Sequence, residues 1–245
     1  MTSHEPATVL RLTNTDRLIS IDQLRALALI LMAIFHFGYD LSVFGYVEFD
    51  AKAPFWSVFR GLIVTLFFIS VGASLALASA RGIRWQAFWM RELKIVAGAL
   101  VITLATYFLY PTQWVWFGVL HFIAVASLLS LPLVNRPRLA LFAGIGILVL
   151  FNVTDWFNLA PLYTALREPL NLPDGTMDLT RLIPWLGMVY IGIYLGHQRL
   201  LGISRLPGLP ENGIFIWLSR HSLGFYMLHQ IPLYGLAWLI YRVLG

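Results

Sequence analysis

The sequence contains no cysteine and few charged residues. Among its 245 residues, Asp, Glu, Lys and Arg together make up 12%, and Cys is absent. Without cysteine the chain cannot form disulfides, a thiolate nucleophile, a thiolate-ligated iron–sulfur cluster or a covalently attached c-type haem. Any catalysis must therefore use His, Asp, Arg, Ser or Tyr side chains.

The shortage of charge is matched by an excess of apolar residues. Hydrophobic residues make up 59% of the chain and the mean hydropathy is +0.75, whereas soluble domains carry about 25% charged residues. We therefore predict an all-α, polytopic membrane helix bundle that forms one domain over residues 1–245, with about seven transmembrane helices. The predicted spans lie near 19–40, 56–79, 91–110, 114–133, 139–156, 182–201 and 222–243. The apolar stretch 211–218 is too short to span, and we predict an interfacial helix there.

Basic residues cluster before the first predicted span and near the ends of the second, fourth and sixth spans. They are Arg11, Arg17, Arg81, Arg84, Arg91, Lys94, Arg136, Arg138, Arg199 and Arg205. The positive-inside rule then predicts a multi-pass protein of the bacterial plasma membrane, with 1–18 as a cytoplasmic N-terminal segment and the C-terminus outside. The first span is expected to remain as an anchor, and the Pro- and Gly-containing stretch 157–181 is expected to be an external loop. No dense basic tract with interleaved aromatics indicates a nucleic-acid partner.

Ionisable residues share one face of the first predicted span. At 100° per residue the aligned positions are Asp22, Arg25, Leu29, Met32, His36 and Asp40. A rise of about 1.5 Å per residue puts Arg25 roughly 16 Å from His36, near the cytoplasmic end. Because ionisable groups are costly in a bilayer and usually mark sites or pathways, we expect this stripe to face protein and to carry function.

His36 and Asp40 are four residues apart, so they lie on the same helical face. A carboxylate at this spacing can hydrogen-bond one imidazole nitrogen and leave the other free to take a proton, as in a general base with its orienting group. The alternative is that His36 only makes a polar contact between helices.

Two further histidines lie inside predicted spans. His121 follows Gly118, which allows close helix approach, and we expect it to meet His36 at similar depth. His229 shares a face with Tyr226, and Pro232 weakens the helix nearby. For each histidine, a satisfied interhelical hydrogen bond is the alternative to a functional role. His4, His197 and His221 lie near span ends and receive no role.

Five blocks of the sequence resemble a known family in order and over nearly the whole chain. They are "RLISIDQLRALALILMAIFHFGYDL", "LFFISVGASLALA", "WFGVLHFIAVASLL", "LTRLIPWLGMVYIGIYLG" and "SRHSLGFYMLHQIPL". They resemble the bacterial DUF1624 branch of the heparan-alpha-glucosaminide N-acetyltransferase catalytic-domain family. Arg25 followed by His36 is also similar to the first helix of the wider membrane acyltransferase group that decorates sugars.

The resemblance implies transfer of an acyl group, typically acetyl, from cytoplasmic acyl-CoA to an amine or hydroxyl on the other side of the membrane. Arg25 would then bind CoA, and His36, oriented by Asp40, would deprotonate the acceptor. His121, His229 and Gln230, with Tyr226 beside them, would line the pocket. No metal is implied. We expect a small envelope sugar as acceptor, and a homodimer is an open alternative to a monomer.

This chain departs from the lysosomal members at one point. Their catalytic histidine is assigned to the loop after the first helix, but this sequence has no His between His36 and His121. The role of His36 is therefore carried over from the wider acyltransferase group.

Two other classes of function use the same residues. A small proton-coupled transporter would use His36 and Asp40 as a relay, although we find no inverted repeat with paired broken helices. A b-type haem protein would ligate iron with His36, His121 or His229, which leaves Arg25 without an obvious use.

Overall fold

The computed structural model describes residues 19–173, 175–200, 203, 205–210 and 213–244. Within these ranges the chain is helical and has no strand, apart from one isolated parallel bridge between Phe117 and Leu179. The helices are α1 (Ile19–Val43), α2 (Pro54–Ser79), α3 (Trp85–Leu109), α4 (Val119–Ser130), α5 (Pro137–Val153), α6 (Ala160–Arg167), α7 (Leu182–His197), α8 (Gly213–Arg220), α9 (Ser222–Leu228) and α10 (Gln230–Leu244). The predicted N-terminal segment with Arg11 and Arg17, together with His4 and Glu211, lies outside the described residues.

Four stretches are long and apolar enough to cross a membrane. They are α1, α2, α3 and the pair α9 and α10, which together run from Ser222 to Leu244. Large apolar side chains on their outer faces are exposed, for example Phe108 at 76% and Val58 at 72%, because in a bilayer such faces contact lipid rather than water. The chain thus has the architecture of a multi-pass, all-helical membrane protein.

The count of seven spanning helices is not reproduced. The predicted spans 114–133, 139–156 and 182–201 correspond to the shorter apolar helices α4, α5 and α7. The predicted span 114–133 included residues 114–118, which lie before α4 begins. Carbonyl groups in this segment accept hydrogen bonds from side chains of α3 and of the loop after α6. Apolar composition continues through such segments, so it does not reveal where the helix begins.

Glycines allow α7 to pack closely on two neighbours. A Cβ on Gly72 of α2 would overlap the carbonyl of Val189, and a Cβ on Gly196 of α7 would lie 2.7 Å from the carbonyl of Ala73. Against α5, Gly144 and Gly187 face each other's carbonyl oxygens. Contacts of this kind between small residues are a main source of association between helices in lipid, and they form the central layer of the bundle.

Helix α1 packs beside this layer, against α2 on one side and α8 and α10 on the other. Ala26, Leu29 and Met32 of α1 form a buried cluster with Ile63 of α2 and Leu218 of α8. Helix α8 covers most of the stretch predicted to be interfacial, and its Leu218 docks into this core.

The predicted external loop contains α6 and is tied to the segment before α4. Met177 N–H donates to Gln113 O and Thr180 N–H donates to Phe117 O, each at 3.0 Å. The Tyr163 ring of α6 stacks on Trp116 with centroids 5.4 Å apart. These contacts hold the loop over the end of α4.

Candidate functional site

The polar stripe of α1 faces protein, as its spacing predicts. Asp22, Leu29, Met32 and Asp40 are buried, while Arg25 and His36 are partly buried. The two ends of the stripe meet different partners: the Arg25 end meets α2 and α8, and the His36 end meets the junction of α9 and α10.

His36 lies against His229. Their ring centroids are 5.0 Å apart and the rings meet edge to face. His229 is the single residue between α9 and α10, three positions before Pro232, whose ring cannot continue a regular hydrogen-bonding pattern. The interruption expected near Pro232 therefore presents His229 to α1.

Asp40 is paired with Gln230 rather than with His36. The Gln230 amide Nε2 donates to Asp40 Oδ1 at 2.6 Å, and Asp40 is only 1% exposed. Among the described residues this is the hydrogen bond that the carboxylate makes. The prediction that Asp40 hydrogen-bonds to His36 and orients it is therefore wrong. Both α1 side chains point at the α9–α10 junction, and each takes its partner across the helix interface instead of along its own helix. We name His36, Asp40, His229 and Gln230 the cross-helix cluster.

The carbonyl of Tyr226 fixes the tautomer of His229. His229 Nδ1 lies 2.7 Å from Tyr226 O, and a carbonyl oxygen can only accept, so Nδ1 carries the proton. His229 Nε2 is then the lone-pair nitrogen, and it is buried with no hydrogen-bond partner in the described structure. Tyr226 contributes its backbone to the site, and its ring centroid lies 6.1 Å from that of His229.

Arg25 joins three helices at the other end of the stripe. Its guanidinium donates to Ser219 Oγ of α8 at 3.1 Å and to Ser74 Oγ of α2, and it lies 3.8 Å from Asp22 Oδ1. The Ser219 hydroxyl also donates to Asp22 at 2.7 Å. The side chain remains 20% exposed. The sequence analysis missed both serines, because a serine inside a membrane helix is equally typical of helix packing.

His121 belongs to a separate network between α3 and α4. Its Nδ1 accepts from Gly118 N–H at 3.2 Å, and its Nε2 lies 3.1 Å from Thr103 Oγ1. Thr103 in turn donates to Val115 O at 2.8 Å. Both ring nitrogens of His121 are thus engaged away from His36, which matches the interhelical hydrogen bond considered as its alternative role.

Two acidic residues without a predicted role are also held inside the protein. Glu92 of α3 is 3% exposed and pairs with Arg91 at 2.5 Å. Asp178, in the loop after α6, accepts a hydrogen bond of 3.1 Å from Val119 N–H at the start of α4. Burial raises the pKa of the Asp178 carboxyl, although the Val119 N–H and the positive charge of Arg60 partly oppose this shift. Glu92 lies between Arg91 and Lys94 in the sequence, so its charge alone gave no signal of burial.

A cavity lies outside the cross-helix cluster. It has a volume of about 560 Å³ and lies between the turn after α3 and the loop after α6, where Trp114, Arg167 and Glu168 help to line it. No group of three or more His, Asp or Glu side chains in the described ranges is arranged to hold a metal ion.

Comparison with protein families finds a match over most of the chain. The model of the heparan-alpha-glucosaminide N-acetyltransferase catalytic family covers residues 17–231. The chain belongs to this family. Members of the heparan-alpha-glucosaminide N-acetyltransferase family are acetyltransferases that in general use acetyl-CoA as donor. Comparison with curated proteins and with solved structures finds no match.

The family match includes every residue of the cross-helix cluster and also Arg25. It ends one residue after Gln230, so most of α10 lies beyond it. The catalytic family thus spans both halves of the cluster, the one on α1 and the one at the α9–α10 junction.

Proposed function

We propose that the protein transfers an acetyl group from cytoplasmic acetyl-CoA to an amine or hydroxyl of a sugar-like acceptor on the other side of the membrane. The observation that carries this proposal is the contact of His36 with His229 beside the buried Asp40–Gln230 pair. A buried, polar, imidazole-containing cluster in a membrane acetyltransferase is the arrangement that proton transfer to and from an acceptor needs.

His36 is the proposed general base. His36 is partly exposed, whereas Asp40 is almost fully buried. Of these two side chains, His36 is therefore the one that a bound acceptor can reach. Removal of a proton from the acceptor by a positioned base is worth about 10²–10⁴ in rate. Asp40 supports the site by holding Gln230 across the helix interface.

Arg25 is the proposed contact for the donor. Its guanidinium keeps some exposure while Ser74 and Ser219 hold it in one orientation. A guanidinium oriented in this way suits the phosphates of CoA. Since Arg25 and His36 are roughly 16 Å apart along α1, the long pantetheine arm would carry the thioester toward the cluster.

The proposed topology has seven crossings with a cytoplasmic N-terminus, in the plasma membrane of a bacterium. Helices α4, α5 and α7 supply the three crossings beyond the four long apolar stretches, each extended by the turns at its ends. Arg81, Arg84, Arg136 and Arg138 then lie on the cytoplasmic side, in keeping with the positive-inside rule. His121, Tyr226 and Gln230 remain proposed lining residues.

Oriented proteoliposomes test the proposal. The full chain is reconstituted, D-glucosamine is enclosed in the vesicles, acetyl-CoA is added outside, and release of the CoA thiol is followed together with formation of the acetylated sugar inside. We expect acetyl-CoA-dependent product inside the vesicles. The proposal is wrong if neither acetyl-CoA nor longer acyl-CoAs raise the apparent stability of the protein and no thiol is released with any acceptor. Proton flux without thiol release would instead favour the transporter.

A further inference from the structure

An apolar groove lies on the outer surface of the bundle, between α1 and the helices α8 to α10. One wall is the stretch of α1 from Ile30 to Phe37, and Trp217, Phe225 and Leu233 contribute to the other. Its described lining residues are all aliphatic or aromatic, and its volume is about 390 Å³. Sites for small molecules typically have volumes of about 300–1,000 Å³. We name this surface the lateral groove.

The lateral groove is open toward the lipid. Among its lining residues, Ile34 of α1 is 54% exposed and Trp217 of α8 is 55% exposed, whereas Leu218 is only 6% exposed. Exposed apolar side chains on a membrane-spanning bundle contact lipid chains. A hydrocarbon chain can therefore enter the groove sideways from the bilayer, without passing through water.

The lateral groove covers most of one leaflet. Ile30 lies near the middle of α1, and Phe37 lies about 10 Å farther along the helix axis, toward its C-terminal end. The hydrocarbon core of a bilayer is about 30 Å thick, so each leaflet supplies half of that depth. The leaflet concerned is on the side of the cross-helix cluster, which is the outer side in the proposed topology.

The lateral groove reaches the cross-helix cluster. His229 lies between two groove residues at helical spacing, because its N–H donates to Phe225 O and its carbonyl accepts from Leu233 N–H. The Phe225 ring also stacks on the His229 ring, with centroids 5.9 Å apart. On α1, Phe37 directly follows His36. An apolar groove that ends at a buried polar cluster has the polarity of an amphiphile.

We propose that the lateral groove binds the hydrocarbon chain of a lipid-anchored acceptor and thereby places the polar headgroup at the cross-helix cluster. The acceptor then arrives by diffusion in the outer leaflet rather than from the aqueous phase. This inference rests on the proposed acetyl transfer and adds the membrane anchor. The acetyl group replaces a hydrogen on a headgroup nitrogen or oxygen as the C–S bond of acetyl-CoA breaks, and that hydrogen ends on the CoA sulfur.

The acceptor chain matches the groove better than the donor does. Pantetheine contains amide groups, which would lose their hydrogen bonds to water against aliphatic and aromatic walls. An acetyl group is too short to use a groove about 10 Å long. A lipid of the outer leaflet, in contrast, holds its headgroup outward and its chain toward the bilayer centre, which is the direction from His36 to Ile30.

Photolabelling locates the chain without turnover. The full protein is placed in phosphatidylcholine nanodiscs without acetyl-CoA, and octyl β-D-glucosaminide with a diazirine at the end of its octyl chain is activated by light. We expect labels on α1 between Ile30 and Phe37 and on α8 around Trp217. Octyl glucosaminide without the diazirine should suppress these labels at least tenfold more effectively than methyl β-D-glucosaminide. Labels that neither compound suppresses, or that lie mainly on the exposed face of α3 around Phe108, would overturn the proposal.

Ala33→Phe fills the lateral groove. We expect the ratio of kcat/KM for octyl glucosaminide to that for methyl glucosaminide to fall at least tenfold, whereas Ala105→Phe, the same change at an exposed position of α3, should keep the ratio of the parent. Octyl glucosaminide partitions equally into the nanodiscs of both variants, so the comparison isolates the groove. An unchanged ratio in Ala33→Phe would contradict the proposal. If Ala33→Phe does not fold, the photolabelling of the unaltered chain still decides.

The same measurements separate this inference from the proposed function. If octyl glucosaminide suppresses the labels as expected but no acyl-CoA yields an acylated product, the groove stands as a lipid-binding site and the proposed acetyl transfer is wrong. If both glucosaminides are acetylated with equal kcat/KM and the labels are not suppressed, the acetyl transfer stands and the lipid-anchored acceptor is wrong.

Discussion

The imidazole rings of His36 and His229 pack edge to face at a centroid distance of 5.0 Å, although they come from opposite ends of the chain. Asp40 and Gln230 repeat this pairing one helical turn along α1. These two contacts align α1 with the α9–α10 junction. The geometry of the site therefore depends on how α1 and α10 are positioned relative to each other.

His36→Gln should abolish acetyl transfer and leave the fold intact. The glutamine keeps polarity and approximate size but cannot take a proton, so we expect a loss of about 10²–10⁴ in kcat with an unchanged unfolding temperature. The assay is thiol release from acetyl-CoA in the presence of glucosamine. His221→Gln is the matched control, because His221 is exposed and its ring contacts Trp217, one turn earlier on the same surface. Normal turnover in His36→Gln would rule out the base assignment.

Arg25→Lys should separate donor binding from helix packing. A lysine keeps the charge but cannot reproduce the fork that now reaches Ser74 and Ser219, so we expect acetyl-CoA affinity to fall about tenfold, equivalent to ~1.4 kcal/mol. The measurement is the midpoint of an acetyl-CoA thermal-shift titration.

Ser219→Ala is the control for Arg25. It removes one bond to the guanidinium and one to Asp22, which should cost about 1 kcal/mol of stability while acetyl-CoA affinity changes less than in Arg25→Lys. Equal affinity in Arg25→Lys and the parent would remove Arg25 from the donor site.

Gly72→Ala should destabilise the central layer. The added methyl group would overlap the Val189 carbonyl, and relief requires α2 and α7 to move apart, at a cost of about 1–3 kcal/mol. Gly61→Ala lies on the same helix with nothing within 4 Å of its Cβ position, so it should be neutral or stabilise by about 0.5–1 kcal/mol. Denaturant unfolding in micelles measures both, and similar effects of the two changes would contradict the packing described for Gly72.

Asp178→Asn should change how stability depends on pH. The pKa of the Asp178 carboxyl is raised by burial, so between its ordinary pKa of about 4 and its raised value the folded state binds more protons than the unfolded state. Stability from this group is therefore greatest at low pH and declines as pH rises through that window. Asparagine can still accept from Val119 N–H but does not titrate.

The unfolding temperature, followed from pH 4 to pH 8, provides the measurement. We expect Asp178→Asn to gain stability relative to the parent as pH rises, whereas Asp155→Asn should follow the parent throughout. Parallel curves for Asp178→Asn and the parent would exclude a buried, titrating carboxyl at this position.

The sequence predicted that four stretches can span a membrane, because an apolar run of about 20 residues is long enough to cross the bilayer as a helix. It also predicted the buried stripe on α1, since helical geometry alone aligns Asp22 with His36 and Asp40. The ends of α4 and α7 were not predictable to the same degree, because their apolar composition continues into turns and loops.

The partner of Asp40 was not predictable from its spacing to His36. The choice of Gln230 depends on how closely α10 approaches α1, and that approach is set by packing far along the chain. For the same reason no local pattern indicated that Asp178 would reach Val119, or that Ser219 would bridge Arg25 and Asp22.

The cross-helix pairing has a consequence for synthesis of the protein. Asp40 and Gln230 are separated by 190 residues, so a ribosome that adds about 5–20 residues per second makes the second roughly 10–40 s after the first. During that interval the first helix has entered the membrane while its buried carboxylate has no partner. The translocon or the helices that follow must shelter this face until Gln230 emerges, and the pairing inside the membrane is completed only then.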